Sequence, residues 1–298
     1  MKDSELKASP LESLGAFSSE PRAPAWGVSM AADFGDVASE QEVLRDDAGL
    51  IDQSYRSVLD LVGANAEEML ARVLSVDPAK ITPDAGAAAC LLSAKGKLAG
   101  AFVLFRLADD HFRAVTFEPS RPELAKEFRK YAFLSDVDVV DRSAEIVGMG
   151  VHGPKASEAL STLVSPEDLQ GPLASRCSLN FEGETVDCLR VEGFASETEA
   201  GGFELLAPKS VAAALWKKLA EAIRPVGWLA REAVRIAKGF PRYGFDYDEA
   251  HFPNEVAWEP ALTYDRCYVG QEVVARMKTY GSVNRKIFRI SAASPTKS

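Results

Sequence analysis

The sequence predicts an α+β fold made of two similar halves. The stretch at 57–75, SVLDLVGANAEEMLARVLS, has the pattern of a strand, a glycine turn and a helix, and the stretch at 147–164, VGMGVHGPKASEALSTLV, repeats that order. Shifting the chain by 90 residues aligns identical residues of the two stretches: Gly63, Ala66, Glu68 and Leu70 with Gly153, Ala156, Glu158 and Leu160. Because strand-rich segments follow both stretches, we interpret them as two similar α+β halves.

The first half continues with further strands and a helix. The stretch at 88–117 has turn signals at 95–96 and 109–110, which predict a three-stranded meander. Apolar residues at helical spacing over 122–133 predict a helix, and the alternating residues at 136–140 predict a return to a strand.

The second half is expected to contain strands near 176–192 and 202–207 and helices at 209–223 and about 228–237. The segment at 238–264 combines prolines and aromatic residues without helical periodicity. It is either an ordered loop that packs its aromatic side chains on the body, or a loop that shapes a pocket for a flat ligand with a polar edge.

The composition is that of a globular protein that carries a net negative charge. The chain has 298 residues, 47% apolar and 26% charged, which suffices for a large core and two or three domains. The formal net charge of −10 argues against direct nucleic-acid binding or a membrane partner. No apolar run approaches the roughly 20 residues that span a bilayer, and the N-terminus lacks the apolar core of a signal peptide. We therefore expect a cytoplasmic protein.

Cysteine and histidine spacing does not indicate a metal site. No two of the four cysteines have the C-x2–4-C spacing of zinc ligands, and the three histidines, His111, His152 and His251, are far apart in sequence. Cys90 and Cys188 lie in apolar, strand-like segments, so we expect both to pack in the core.

Two charged residues stand in apolar surroundings. Glu204, in EAGGFELLAP, is either an exposed edge residue or a buried carboxylate that needs a partner. Arg235 shares a helix face with Arg231, and such a face is ordinarily solvated. Its neighbours Val234 and Ile236 would nevertheless cover its stem and direct its guanidinium towards an anion.

Cys267 lies in DRCYVGQEVVARMKTYG, residues 265–281, directly after Arg266. A neighbouring cation can lower the pKa of a thiol and make it reactive. The alternatives are packing or ligand contact, and no histidine can be paired with the cysteine from sequence, so a Cys–His–Asp system is not supported.

The motif CYVGQEVVAR resembles the C-Y-x-G-Q-E signature of the YgfZ family, which comprises folate-binding proteins of iron–sulfur cluster assembly and repair. That family is related to the glycine-cleavage T-protein, an aminomethyltransferase. GGFELLAP and VRIAKGFPRYGFD are similar to blocks shared across this superfamily, and the resemblance covers roughly residues 40–285.

The resemblance implies a duplicated, ferredoxin-like folate-binding fold of the T-protein and YgfZ type. It divides the chain into an N-terminal extension at 1–38, which we expect to be loosely packed, and a folate-binding region at 39–260. The halves of that region would be about 39–145 and 146–260. Residues 261–298 would hold the cysteine motif and the start of a C-terminal β-barrel that is mostly absent.

The resemblance also assigns site residues and a cofactor. Glu204 matches the carboxylate that grips the pterin ring of tetrahydrofolate, Arg235 matches the folate-site arginine, and Cys267 matches the signature cysteine. The residues that support the cysteine motif are Arg266, Tyr268, Gly270, Gln271, Glu272 and Arg276.

The chain departs from the pattern at several positions. The T-protein has an acidic pair after its first hairpin glycine, including its catalytic aspartate, whereas KGKLAGAF offers Ala99 and Gly100. Asp265 and Arg266 replace the Lys-Gly that normally precedes the cysteine, and Glu197 falls at the pterin-site tyrosine position.

Without the hairpin carboxylate, aminomethyl transfer by the T-protein mechanism is not expected. The expected function is therefore that of a tetrahydrofolate-binding accessory protein, with iron–sulfur proteins as partners and an indirect link to tRNA modification. The alternative is a tetrahydrofolate-dependent aminomethyltransferase.

Overall fold

The structure is a computed structural model that describes residues 6–18, 21–25, 28–119, 122–191, 202–256, 258–281, 283 and 285–290. The strands in this part of the chain are β1 (Lys7–Ala8), β2 (Arg22–Ala25), β3 (Val28–Ala31), β4 (Gly49–Asp52), β5 (Arg56–Val62), β6 (Gly86–Leu92), β7 (Leu98–Ala108), β8 (His111–Pro119), β9 (Asp138–Asp141), β10 (Ile146–His152), β11 (Arg176–Phe181), β12 (Glu184–Val191), β13 (Gly202–Pro208) and β14 (Arg224–Val226). The helices are α1 (Pro10–Ser13), α2 (Val37–Asp46), α3 (Ala66–Val73), α4 (Pro122–Ala132), α5 (Ala156–Leu160), α6 (Lys209–Ala220), α7 (Trp228–Lys238) and α8 (Gln271–Tyr280).

Two large sheets form the body of the molecule. The first has the strand order β6-β7-β8-β5-β9 and is antiparallel throughout. The second has the order β11-β12-β13-β10-β4-β14, in which only β14 runs parallel to its neighbour β4. If β4 is left out, the two sheets have the same topology. In each sheet the first strand in the chain (β5 or β10) lies between the fourth (β8 or β13) and the fifth (β9 or β14). The strand–glycine–helix units, the meander and the helices expected from sequence are confirmed.

Alternation of side chains along the strands separates the two faces of each sheet. One apolar cluster joins β10 and β13 to α5 and α6, and another joins β5 and β8 to α3 and α4. A third cluster, with Val103 and Phe105 of the first sheet and Leu189 and Leu206 of the second, lies between the sheets. Helices therefore cover the outer faces, and the inner faces of the two sheets pack against each other.

The segment before α2 differs from the expectation of a loosely packed extension. Strands β1, β3 and β2 form a small sheet, and Ala25 and Met30 are buried against Tyr55 and Trp228. The expectation of loose packing was therefore wrong. RAPA and VSMA have small side chains and little alternation of polar and apolar residues, so their sequence does not indicate paired strands.

The segment at 238–264 is an ordered loop whose aromatic side chains pack on the first sheet, as the first of the two interpretations proposed. Tyr247 and Trp258 are buried with Cys90 and Leu98, and the Trp258 indole nitrogen donates to the Tyr247 hydroxyl at 3.1 Å. Cys90 and Cys188 are both buried in apolar clusters, which confirms their expected packing.

The described residues after α8 form no strand. In the described part of the chain, no helix has the length and apolar character needed to cross a membrane, and no group of His, Cys, Asp and Glu side chains is arranged to hold a metal ion.

Candidate functional site

Glu204 lies on the inner face of the second sheet, surrounded by buried polar side chains. Along β13, Phe203 and Leu205 point to the helix-covered outer face, so the alternation turns Glu204 inward. Only 2% of Glu204 is exposed. It is therefore the buried carboxylate with a partner, the second of the two alternatives that the sequence left open.

The partner is Arg56, at the start of β5. Its Nη1 lies 2.6 Å from Glu204 Oε1, and each side chain is 3% exposed. The Gln53 amide, oriented to suit its neighbours, donates to Glu204 Oε1 and accepts from Arg56 and from His152, each at 3.2 Å. We refer to Gln53, Arg56, His152 and Glu204 as the central polar cluster.

The turn between β4 and β5 brings this cluster together, because β4 belongs to the second sheet and β5 to the first. Gln53 and Arg56 both come from this connection. The antiparallel register of β10 and β13 places His152 opposite Gly202 and Gly150 opposite Glu204.

Glycines make room for the His152 ring. A Cβ atom at Gly150 would lie 2.5 Å from His152 Nε2, and one at Gly202 would lie 2.4 Å from Nδ1. Burial and the nearby charges of Arg56 and Arg231 lower the pKa of His152 to about 3. The imidazole is thus neutral, and its contact with the Gln53 oxygen places the proton on Nε2.

Arg235 lies on α7, and its ion-pair partners are the carboxylates of Glu232 and Asp246. Its Nε contacts Glu232 at 3.0 Å and its Nη1 contacts Asp246 at 2.9 Å. Nη1 also donates to the carbonyl of Phe240. The stem is covered and the guanidinium meets anions, as proposed, but those anions belong to the protein.

A cavity of about 130 Å³ adjoins Arg235 and Asp246. Phe240 and Ile287 contribute apolar surface to its lining. The loop at 238–264 thus also shapes a small recess, lined by the guanidinium groups of Arg235 and Arg289 and the carboxylate of Asp246.

Cys267 is exposed on the segment before α8. The Arg266 guanidinium binds the C-terminal end of α3. It donates to the carbonyl oxygens of Ala71, Leu74 and Val76, and the distance from Nη1 to the Leu74 oxygen is 3.0 Å. Arg266 therefore fastens the segment to the first half of the fold. The reactivity of Cys267 stays a prediction.

Tyr268 and Gln271 of the cysteine motif connect the start of α8 to the segment before it, whereas Glu272 and Arg276 pair only with each other. The Tyr268 hydroxyl donates to the carbonyl of Thr263 at 2.9 Å, and the Gln271 amide contacts the carbonyl of Tyr264 at 3.4 Å. Glu272 and Arg276 form an exposed ion pair at 2.7 Å along the helix.

Gly270 has a left-handed conformation (φ 80°) at the start of α8. A Cβ atom there would lie 2.5 Å from the carbonyl oxygen of Ser93 in the β6–β7 hairpin. The glycine of the motif is thus required for close packing between helix and hairpin.

Residues 99–100, after the β6–β7 hairpin turn, contact apolar side chains. Ala99 packs against the outer core of the first sheet, and a Cβ atom at Gly100 would lie 2.5 Å from Leu124 Cδ1. A carboxylate at position 100 would require Leu124 to move. Glu197, at the position of the pterin-site tyrosine, lies outside the described residues.

Sequence reasoning missed three members of the central polar cluster. Arg56 and His152 each adjoin an apolar strand pattern, in DQSYRSVLDL and VGMGVHG, which was the available signal. Their convergence on Glu204 depends on how the two sheets pack, and no local pattern records that packing.

Comparisons with known proteins agree with this architecture. Residues 18–266 match the model of the GCVT N-terminal domain. Over 271 residues the chain is 30% identical to an aminomethyltransferase of Xanthomonas axonopodis pv. citri, covering 88% of this chain and 72% of the relative. It is 28% identical to an aminomethyltransferase of Flavobacterium psychrophilum, covering 93% and 76%.

The crystal structure of glycine cleavage system aminomethyltransferase T from Bartonella henselae has the same fold. It superposes with a TM-score of 0.80 at 23% sequence identity, over 93% of this chain and 76% of that chain. The α+β fold expected from sequence thus agrees with the mixed α/β fold of this T-protein structure, and the YgfZ assignment stays a prediction. The chain belongs to the GCVT N-terminal domain family.

Proposed function

We propose that this protein binds tetrahydrofolate through Glu204 and acts as a one-carbon transferase of the aminomethyltransferase type. The observation that carries the proposal is the Glu204 carboxylate, buried between the two sheets and paired with the planar guanidinium of Arg56. The family and the aminomethyltransferase relatives support the activity.

The chemistry of Glu204 fits the ligand. The aminopyrimidine edge of a reduced folate offers adjacent N–H donors, and a carboxylate offers two matching acceptors. A guanidinium offers donors of the same kind, so Arg56 and the pterin would compete for Glu204. Bound tetrahydrofolate would supply the nitrogen atoms that carry the one-carbon unit.

Arg235 would hold an anionic part of the ligand. Its guanidinium lies beside the small cavity and contacts Asp246, whose side chain is 39% exposed. A folate carboxylate would take the place of the Asp246 carboxylate there. Glu204 and Arg235 would then bind different parts of one ligand.

A second candidate is a YgfZ-like folate-binding accessory protein that acts without turnover and supports iron–sulfur proteins. Ala99 and Gly100 favour it, because a transferase would have to take its acid from another position. The CYVGQE motif favours it too. This candidate includes the other features that the YgfZ resemblance implies. They are the duplicated fold, the domain division at 39–145, 146–260 and 261–298, and a reactive Cys267.

Calorimetric titration with tetrahydrofolate tests the binding. We expect Glu204→Gln to weaken binding at least tenfold, about 1.4 kcal/mol, and Arg56→Met to strengthen it because the carboxylate loses its ion pair with Arg56. Glu255→Gln is the matched control, since Glu255 is 6% exposed and ion-paired with Arg285 in another part of the fold. Equal affinities in all four proteins would remove Glu204 from the site.

A transfer assay separates the two candidates. The protein is incubated with methylenetetrahydrofolate and an amine acceptor, and loss of the methylene carbon is followed against a protein-free control. Transfer above the control supports the transferase, whereas binding without transfer supports the accessory protein.

A further inference from the structure

A pair of cysteines outside the candidate site lies at the edge of the second sheet. Cys177 on β11 stands directly opposite Cys188 on β12 in the antiparallel register. β11 is the edge strand of that sheet. Both residues belong to the apolar cluster on the outer face, so their side chains point to the same side.

The backbone geometry suits a covalent link. Directly opposed residues of an antiparallel pair have Cα atoms about 4.5–5.5 Å apart, and disulfides span Cα separations of about 4.4–6.8 Å. Both thiols are free in the structure. A bond between them needs no change of register.

The two thiols differ in access. Cys188 is 1% exposed, whereas Cys177 is half-buried and lines an open cleft of about 650 Å³ together with Asp168, Ser175 and Ser178. A small oxidant in the cleft would meet Cys177 first. Cys188 would be reached only through Cys177.

The pKa shifts of the two thiols also indicate that Cys177 reacts first. The hydrogen bond with Cys188 lowers the pKa of the Cys177 thiol, and that bond together with burial raises the pKa of Cys188 well above its usual range. The thiolate is the nucleophilic form, so Cys177 is the member of the pair that attacks.

We propose that Cys177 and Cys188 form a hydroperoxide-sensitive dithiol that closes to a disulfide across β11 and β12. The Cys177 thiolate attacks one peroxide oxygen, the O–O bond breaks, and the leaving oxygen departs as hydroxide to give a sulfenic acid. The Cys188 sulfur then attacks the Cys177 sulfur, and the sulfenic oxygen leaves as water. Together, two thiols and one hydrogen peroxide yield one disulfide and two waters.

The sequence makes the test direct, because trypsin cleaves after Arg176 and Arg190 and so releases both cysteines in one peptide, CSLNFEGETVDCLR. The folded protein is treated with hydrogen peroxide under conditions that leave the fully buried Cys90 protected. The protein is then denatured, alkylated and digested with trypsin, and the peptide masses are measured by mass spectrometry.

We expect the 177–190 peptide to lose two hydrogen atoms and to escape alkylation unless it is first reduced. In Cys188→Ser the reaction should stop at a Cys177 sulfenic acid that dimedone traps, and in Cys177→Ser the buried Cys188 should stay alkylatable. The proposal is overturned if the peptide keeps two free thiols at peroxide levels that oxidise exposed Cys267. It is also overturned if Cys177 proceeds to sulfinic acid with Cys188 present.

Discussion

The Arg56–Glu204 pair is the most demanding feature of the fold at the scale of single residues. Burying two opposite charges costs several kcal/mol per ion, which their mutual attraction and further hydrogen bonds must offset. Gln53 supplies such bonds to both partners. Either charge left alone in this place would be strongly unfavourable.

Removing Arg56 alone should therefore destabilise the protein. We expect Arg56→Met to lower the free energy of unfolding by about 3–5 kcal/mol, because Glu204 loses the ion pair that offsets the cost of burying its charge. The double variant Arg56→Met/Glu204→Gln should recover most of that loss. Urea denaturation of the wild type, both single variants and the double variant measures the coupling, and additive losses would mean that the two side chains do not interact.

His152 should make stability depend on pH in a defined window. Its folded pKa of about 3 lies below its ordinary 6.5, so between these values the unfolded chain binds a proton that the folded chain does not. Stability should fall by up to ~1.4 kcal/mol per unit as pH drops through this window, and the effect should vanish above pH 6.5.

Comparison with His152→Gln isolates this contribution. Burial raises the pKa of Asp52, which works in the opposite sense, so only the difference between the two proteins reports on His152. Parallel stability curves for wild type and variant from pH 7 to pH 4 would show that the folded imidazole titrates normally.

At the scale of secondary-structure elements, the docking of α8 depends on Gly270. Gly270 and Gly281 both have left-handed backbones, with φ of 80° and 87°, but only Gly270 faces a neighbour at the Cβ position. Gly281→Ala should cost about 1–2 kcal/mol from conformation alone, and Gly270→Ala about 1–3 kcal/mol more from the clash with Ser93. Thermal denaturation of the pair checks this, and equal losses would show that the helix does not need the close contact.

Elements with strong local periodicity were predictable from sequence. The strand–glycine–helix units and the 88–117 meander follow from apolar spacing and turn residues that act within a few positions. Strand β4 was missed because GLID pairs with β10, about 100 residues further along the chain. The N-terminal sheet was missed although β2 pairs with the adjacent β3, because RAPA and VSMA lack the alternation of apolar and polar residues that indicates a strand.

The candidate site, too, could be predicted only in part from the sequence. The apolar surroundings of Glu204 and Arg235 drew attention to both residues, and the resemblance to the T-protein superfamily assigned them to a folate site. Their protein partners, Arg56 and Asp246, could not be predicted, since those contacts follow from how one sheet faces the other and how the loop at 238–264 folds back on α7.

At the scale of the whole molecule, the inner faces of the two sheets meet through apolar contacts and a charged bridge. Arg113 of the first sheet contacts Asp60 at 2.7 Å and reaches Asp187 of the second sheet at 3.2 Å. The central polar cluster also spans the two sheets. Binding at Glu204 would therefore act where the two sheets meet.

A crystal structure with bound tetrahydrofolate tests the central claim most directly. We predict that the pterin edge lies within about 2.7–3.2 Å of the Glu204 carboxylate and that Arg56 has turned away from it. A folate bound elsewhere, with the Arg56 guanidinium still on Glu204, would contradict the account.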